Sequence, residues 1–352
     1  MSGPGRSARP SGRRARRDKA RLYRRRRLVA LAVLAVVIAA LAGLVWAATG
    51  GCGADEQPAA GAASPVRAGK AVAKKTYPAP SPSPTVWTGP ASSRLKLRLR
   101  DTIVDQDIAP KSVVSSGSGY VFAQNMMYRH TITVYDTATL KLVKTIPDAI
   151  DPAEFRIKGH GSEDILGAPV ECAFLPDGRF AYISQYSMYG PGFVEGHDNG
   201  SPGQASDSYV YRVSLADLAV DKVIKVGEVP KFVAVTPDSK YVLVSNWQSF
   251  TLSVIDVHTS KVVEEVYLGP YPRGIAVSPD SSTAYVAVMG TTDIAVVDLG
   301  DFSVSWIRGV GAGPRHLCMA GDGRYLYATL NNEGNVAKID PREKTVVDKV
   351  YT

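Results

Sequence analysis

Pro230 to Asn246 reads PKFVAVTPDSKYVLVSN, and this stretch decides the fold because the chain repeats it. Pro272 opens PRGIAVSPDSSTAYVAV and Pro314 opens PRHLCMAGDGRYLYATL, each 42 residues after the copy before. Two looser copies precede them, PKSVVSSGSGYVFAQ from Pro110 and PVECAFLPDGRFAYISQ from Pro169. In the copy at Pro272, GIAVS and TAYVAVM are short runs rich in β-branched residues and read as strands. DIAVVDL and SVSWIRG add two more, and turns fall at Pro279-Asp280-Ser281 and Gly290-Thr291-Thr292. Four short antiparallel strands in a period of this length make one propeller blade. A blade cannot bury both faces alone, so the copies must stack around an axis.

The first strand of each copy carries a positional code. Three residues after the Pro stand Val113, Cys172, Val233, Ile275 and Leu317; four after it stand Val114, Ala173, Ala234, Ala276 and Cys318. Side chains alternate faces along a strand, so one face is bulky and the other tight, as an innermost strand requires. Cys172 and Cys318 fall on opposite faces in separate copies. Both are expected to pack as small hydrophobes without a disulfide.

VAVTPDSKYVLVSN followed by LSVIDVHTSKVV resembles the YVTN-type β-propeller repeat, and the likeness extends over about residues 108–352. That family includes YncE-like extracytoplasmic proteins and surface-layer proteins, and is related in fold to lactonase-type propellers. The resemblance implies an all-β propeller of four-stranded blades but no single activity. Five repeats are visible. LKLRLRDTIVDQD, residues 95–107, reads as a further strand, which in this family completes the last blade. Whether five blades close or leave an open edge stays undecided at this level.

Charge divides the chain. Residues 1–27 hold eleven Arg and Lys19 against Asp18, a net of +11, whereas residues 101–352 hold 21 basic and 30 acidic residues, a net of −9. A basic whole-chain balance would suggest nucleic acid. Here the basicity is confined to a tail, and no nucleic-acid partner is expected.

LVALAVLAVVIAALAGLVWAA, residues 28–48, carries no charge over 21 residues, enough to span a bilayer. Arg24 to Arg27 place its start in the cytoplasm. A cleaved signal sequence is the rival, but leader and apolar run are both long for one. Thr49-Gly50-Gly51-Cys52 has the small residues of a lipidation signal but not its apolar residue. Residues 49–93 are rich in Pro, Ala, Gly and Ser and read as a linker. The expected organisation is a cytoplasmic tail (1–27), one transmembrane helix (28–48), a linker (49–93) and an extracytoplasmic propeller (94–352) on a single-pass membrane protein.

The first two repeats are longer than the rest, by insertions at residues 149–168 and 187–208. One joins a fourth strand to the next first strand, the other a second strand to a third. Both connections leave the same face of the disc. Long loops on a rigid scaffold commonly carry binding. The same face receives Lys111, Lys231, Arg273 and Arg315, each directly after a repeat Pro and expected on the side of the bulky series. They read as a cationic rim able to hold a carboxylate, phosphate or sugar acid, with His316 beside them. Tyr186, Tyr189 and Trp247 supply the aromatic part of the candidate site.

His160, Glu163, Asp164, Glu195, His197 and Asp198 lie in the insertions, but no helix fixes their geometry, so no metal and no cofactor is implied. G-x-S-x-G, H-E-x-x-H and C-x-x-C are all missing from the sequence. The reading therefore leans away from an enzyme. It favours a non-enzymatic binding or scaffold module for an anionic small molecule, an envelope polymer or a protein partner. The alternative is a lactonase-like hydrolase using the cationic mouth.

Overall fold

The computed structural model describes Leu99, residues 101–104 and residues 108–352. The expected tail, transmembrane helix and linker lie outside the described residues. Of the strand expected at 95–107, Leu99 and residues 101–104 are described, and none of them is in a strand.

Twenty strands form five four-stranded antiparallel sheets, each consecutive in the chain. The first blade is β1 (Ser112–Ser115), β2 (Tyr120–Asn125), β3 (Thr131–Asp136) and β4 (Leu142–Pro147). The second is β5 (Pro169–Phe174), β6 (Phe180–Gln185), β7 (Tyr209–Ser214) and β8 (Ala219–Lys225). The third is β9 (Pro230–Val235), β10 (Tyr241–Asn246), β11 (Thr251–Asp256) and β12 (Lys261–Tyr267). The fourth is β13 (Pro272–Val277), β14 (Thr283–Val288), β15 (Ile294–Asp298) and β16 (Val304–Ile307). The fifth is β17 (Pro314–Met319), β18 (Leu326–Leu330), β19 (Asn335–Asp340) and β20 (Thr345–Tyr351). The inner strands β1, β5, β9, β13 and β17 pack on one another in that order, which is propeller architecture.

A shared turn closes each outer hairpin. Asp136 Oδ1 accepts from Thr139 N at 2.7 Å, and Asp256 Oδ1 accepts from Thr259 N at 2.7 Å. Four residues after the aspartate the backbone turns left-handed, at Leu140, Ser260, Phe302 and Lys344. These hydrogen bonds hold the Asp136 and Asp256 carboxyls below their ordinary range.

The core lies between blades, not within them. Phe122, Ile132 and Val134 pack on Cys172, Ile183 and Val213, and Phe122 meets Phe174 edge-on with centroids 5.1 Å apart. Leu243 and Leu252 pack on Ile275 and Val286, and Tyr285 and Ile294 pack on Leu317 and Ile339. Each fully buried aliphatic side chain contributes about 1.5–3 kcal/mol relative to exposure.

This layering decides the fate of the two cysteines. The residue three after each Pro faces the preceding blade and the residue four after it faces the following one. Cys172 is buried as expected. Cys318 is exposed, against expectation, because among the described residues no blade follows the fifth. The first blade shows the mirror image: Val113 is 59% exposed where its counterpart Val233 is 3% exposed. β1 and β17 do not pack on each other as the other successive inner strands do.

Candidate functional site

The mouth of the disc is built by an irregularity repeated at the start of the inner strands. The register slips between Pro169 and Glu171, around Lys231, between Pro272 and Ile275, and between Pro314 and Leu317. A bulge leaves a residue out of the ladder and re-aims its side chain. Val170, Lys231, Arg273 and Arg315 are those residues. Simple alternation from the Pro therefore does not carry through, and these side chains are not constrained to the side of the bulky series. Immediately before three of the prolines the backbone is left-handed, at Val229 (φ 53°), Tyr271 (φ 63°) and Gly313 (φ 68°). Only the last is a glycine. A β-branched residue in this region is strained, and such strain gathers at functional sites.

Lys231 is buried, with its Nζ 2.5 Å from Asp198 Oδ1 in the second insertion. The same oxygen accepts from the Tyr186 hydroxyl at 2.9 Å, and Trp247 Nε1 donates to the Asp198 carbonyl at 2.9 Å. The Lys231 ammonium lies 4.5 Å from the Tyr186 ring centroid and 4.9 Å from that of Trp247. Burial pushes Lys231 down to about 8, against the opposing pull of Asp198. Burial would raise Asp198, but the Lys231 hydrogen bond and charge outweigh it and the carboxyl falls below its ordinary value. Both groups are thus charged at neutral pH. Lys231 holds the protein's own loop and is not free for a ligand.

Arg273 and Arg315 are different. Arg273 is half-buried, 5.9 Å from the Trp247 centroid, and forms no ion pair among the described residues. Arg315 Nη1 donates to Asn331 Oδ1 at 3.3 Å and likewise has no carboxylate partner among the described residues. Burial lowers the Arg273 guanidinium, and the Arg315 charge lowers it further. The carboxylates whose charges oppose this at Arg273 are Glu171, two residues after its Pro, and Asp198. Burial raises Glu171, while a Ser112 hydrogen bond and the charges of Arg273 and Lys111 oppose the rise. Burial and the two arginines lower His316.

The residues two after each Pro are Ser112, Glu171, Phe232, Gly274 and His316. Phe232 and His316 belong to the third and fifth blades, yet their rings meet at 5.3 Å in a T-shape. They do so across Gly274. A Cβ there would stand 2.7 Å from the Arg315 carbonyl oxygen and from His316 Cα. Glycine lets β13 and β17 approach at this point.

The structure therefore brings Tyr186, Trp247, Lys231, Arg273, Arg315 and His316 into one neighbourhood, with Lys111 beside Glu171. Tyr189 stands at the edge: its hydroxyl donates to Glu195 Oε1 at 3.1 Å and its ring meets His130 edge-on. Burial and Glu195 push its phenol up to about 12. Sequence reasoning passed over Glu171, Phe232 and Gly274, although the repeat register identified their position. A backbone bridge from Leu166 to Tyr189 joins the two insertions, a second from Ile150 to Ile165 closes the first on itself, and Asp198 ties the second to the mouth.

Among curated proteins none matches this sequence. Among solved structures, a chain of Kuenenia stuttgartiensis hydrazine synthase is similar at a TM-score of 0.42 and 16% identity, over 72% of this chain and 90% of that one. A likeness that distant carries nothing about function. Residues 200–349, from just before β7 into β20, match the family described as YNCE-like beta-propeller, so this part of the chain is similar to that family.

Proposed function

We propose that this protein is a membrane-anchored extracytoplasmic propeller that acts as a non-enzymatic binding or scaffold module, and that its axial mouth takes an anionic group of a small molecule, an envelope polymer or a protein partner. The observation that carries this reading is the pair Arg273 and Arg315, adjacent and without a carboxylate partner among the described residues. Two half-desolvated guanidinium groups are costly to hold together and are relieved by a bound carboxylate or phosphate. The anchor rests on residues 28–48 and their arginine flank. No nucleic-acid role is proposed, since the blade region is acidic.

Titration of the full chain with inorganic phosphate and with succinate tests the mouth. Saturable binding that weakens at least tenfold in Arg273→Ala and in Arg315→Ala supports it. Binding indifferent to both substitutions removes it. Protease added to intact spheroplasts tests the topology: the blades should be digested and the tail spared.

A lactonase-like hydrolase is the second reading. One observation favours it: burial raises the Glu171 carboxyl and lowers the His316 imidazole, and both lie beside Arg273. Turnover of a lactone panel that Glu171→Gln abolishes would establish it over a pure binding role.

A further inference from the structure

Away from the axis, the two insertions enclose a cavity of about 520 Å³ against the outer strand of the second blade. Its walls are Phe155 and Ile157 from the first insertion, Phe193 and Ser206 from the second, and Tyr209 and Val223 from the sheet. The volume is that of an ordinary small-molecule site. It is preformed, because Phe155, Ile157 and Phe193 rest on a satellite core of Ile150, Ile165, Met188, Tyr209 and Tyr211. Phe193 stacks on His160 with centroids 3.8 Å apart and planes 8° from parallel, and His160 Nδ1 donates to the Pro191 carbonyl at 3.0 Å.

The charge of this cavity is one-sided. Arg156, Lys158 and Lys225 line it, with Asp207 as its carboxylate, and Asp207 is taken by Lys225 at 2.9 Å. Arg156 and Lys158 form no ion pair among the described residues. A second cavity of about 360 Å³ lies on the far side of the same Asp207–Lys225 pair. Its polar lining is of another kind: Ser249, Thr251 and Glu265, groups that exchange hydrogen bonds with hydroxyls. Two cavities sharing one ion-paired rib make a groove for an extended ligand. Its first unit must be acidic with an apolar face for the half-buried rings, and its next unit must be rich in hydroxyls. A sugar ring offers a C–H face to an aromatic wall and hydroxyls at its edge, which a flat aromatic acid does not.

We propose that this rim groove binds an acidic glycan, with a carboxylate-bearing sugar beside Arg156 and Lys158 and the following sugar across the Asp207–Lys225 rib, at a site separate from the axial mouth.

The test is calorimetric titration of the full chain with an aldobiouronic acid, one uronic acid joined to a neutral sugar, and with its uncharged methyl ester. The acid should bind at least tenfold more tightly than the ester, and its affinity should fall as salt is raised. Arg156→Ala and Lys158→Ala should each weaken the acid by about tenfold, the scale of one charge-assisted hydrogen bond. Both side chains are exposed, so these variants keep the fold. Phe193→Leu, which keeps apolar bulk but removes the flat ring, should weaken acid and ester alike. Lys222→Ala, an exposed cation on β8 outside the groove, should change nothing. Equal binding of acid and ester, no binding of the acid, or binding indifferent to Arg156 and Lys158 overturns the proposal. Loss of binding in Arg273→Ala with Arg156→Ala unaffected would assign the acid to the axial mouth and also overturn it.

Discussion

Lys231 Nζ and Asp198 Oδ1, 2.5 Å apart, join the innermost strand of the third blade to the second insertion. The pair is asymmetric: the lysine side chain is 7% exposed and the aspartate side chain 66%. A buried ammonium is thus neutralised by a carboxylate that reaches in from the surface. The pair positions a loop, and the aromatic faces of Tyr186 and Trp247 complete the cage.

Asp198→Asn should therefore cost about 1–3 kcal/mol, the penalty for a buried charge left short of its partner. Denaturant unfolding measures it. The second insertion should also become the first site of protease cleavage. An unchanged midpoint and an unchanged cleavage pattern would show that the loop is held by its other bonds.

Asp148 gives a pH dependence. It is 1% exposed, its Oδ2 has no hydrogen-bond partner, and burial pushes its carboxyl up to about 8. Facing it are His130, whose Nδ1 lies 3.6 Å from Oδ2, and Tyr211, whose hydroxyl donates to the Asp148 carbonyl. A carboxyl whose pKa is raised on folding binds more protons in the native state. Its contribution is full below about 4 and is lost as pH rises to about 8. The stability difference between the protein and Asp148→Asn should shift in favour of the variant across that window. A difference that stays constant with pH would mean that Asp148 is ionised in the fold.

Gly274→Ala should destabilise the propeller by about 1–3 kcal/mol, because the new methyl meets the backbone of Arg315 and His316 and no side chain can yield. It should also separate Phe232 from His316 and weaken anion binding at the mouth. Thermal unfolding together with phosphate titration reads both effects. A variant of normal stability and affinity would show that β13 and β17 have room between them.

In a Cys52→Ser background, a thiol reagent should label Cys318 in the native protein and Cys172 only after unfolding. Cys318 is exposed, while Cys172 is buried and its thiol pushed well up by desolvation. Protection of Cys318 in the native protein would show that the outward face of the fifth blade is covered in solution.

The blades were legible because their signals are local. Alternation in YVLVSN and TAYVAV, the turn at each PDS or PDG, and the aspartate closing four of the five outer hairpins are properties of a few consecutive residues. The site was legible in part. The position after each Pro drew attention to Lys231, Arg273 and Arg315, but alternation does not fix their orientation because a bulge intervenes at that point. Glu171 and Phe232 were missed because a half-buried acid and a lone phenylalanine give no pattern of their own.

By itself the sequence determined that this chain folds into repeated four-stranded blades, since hydrophobic period and turn chemistry act over short range and repeat in register. Only the tertiary structure decided which cations are free. Lys231 and Arg273 occupy equivalent positions, yet Asp198 meets the first and no carboxylate among the described residues pairs with the second. It also decided that Cys172 is core and Cys318 surface, for burial depends on the blade that stands next in space, and a strand's own residues do not encode its neighbour.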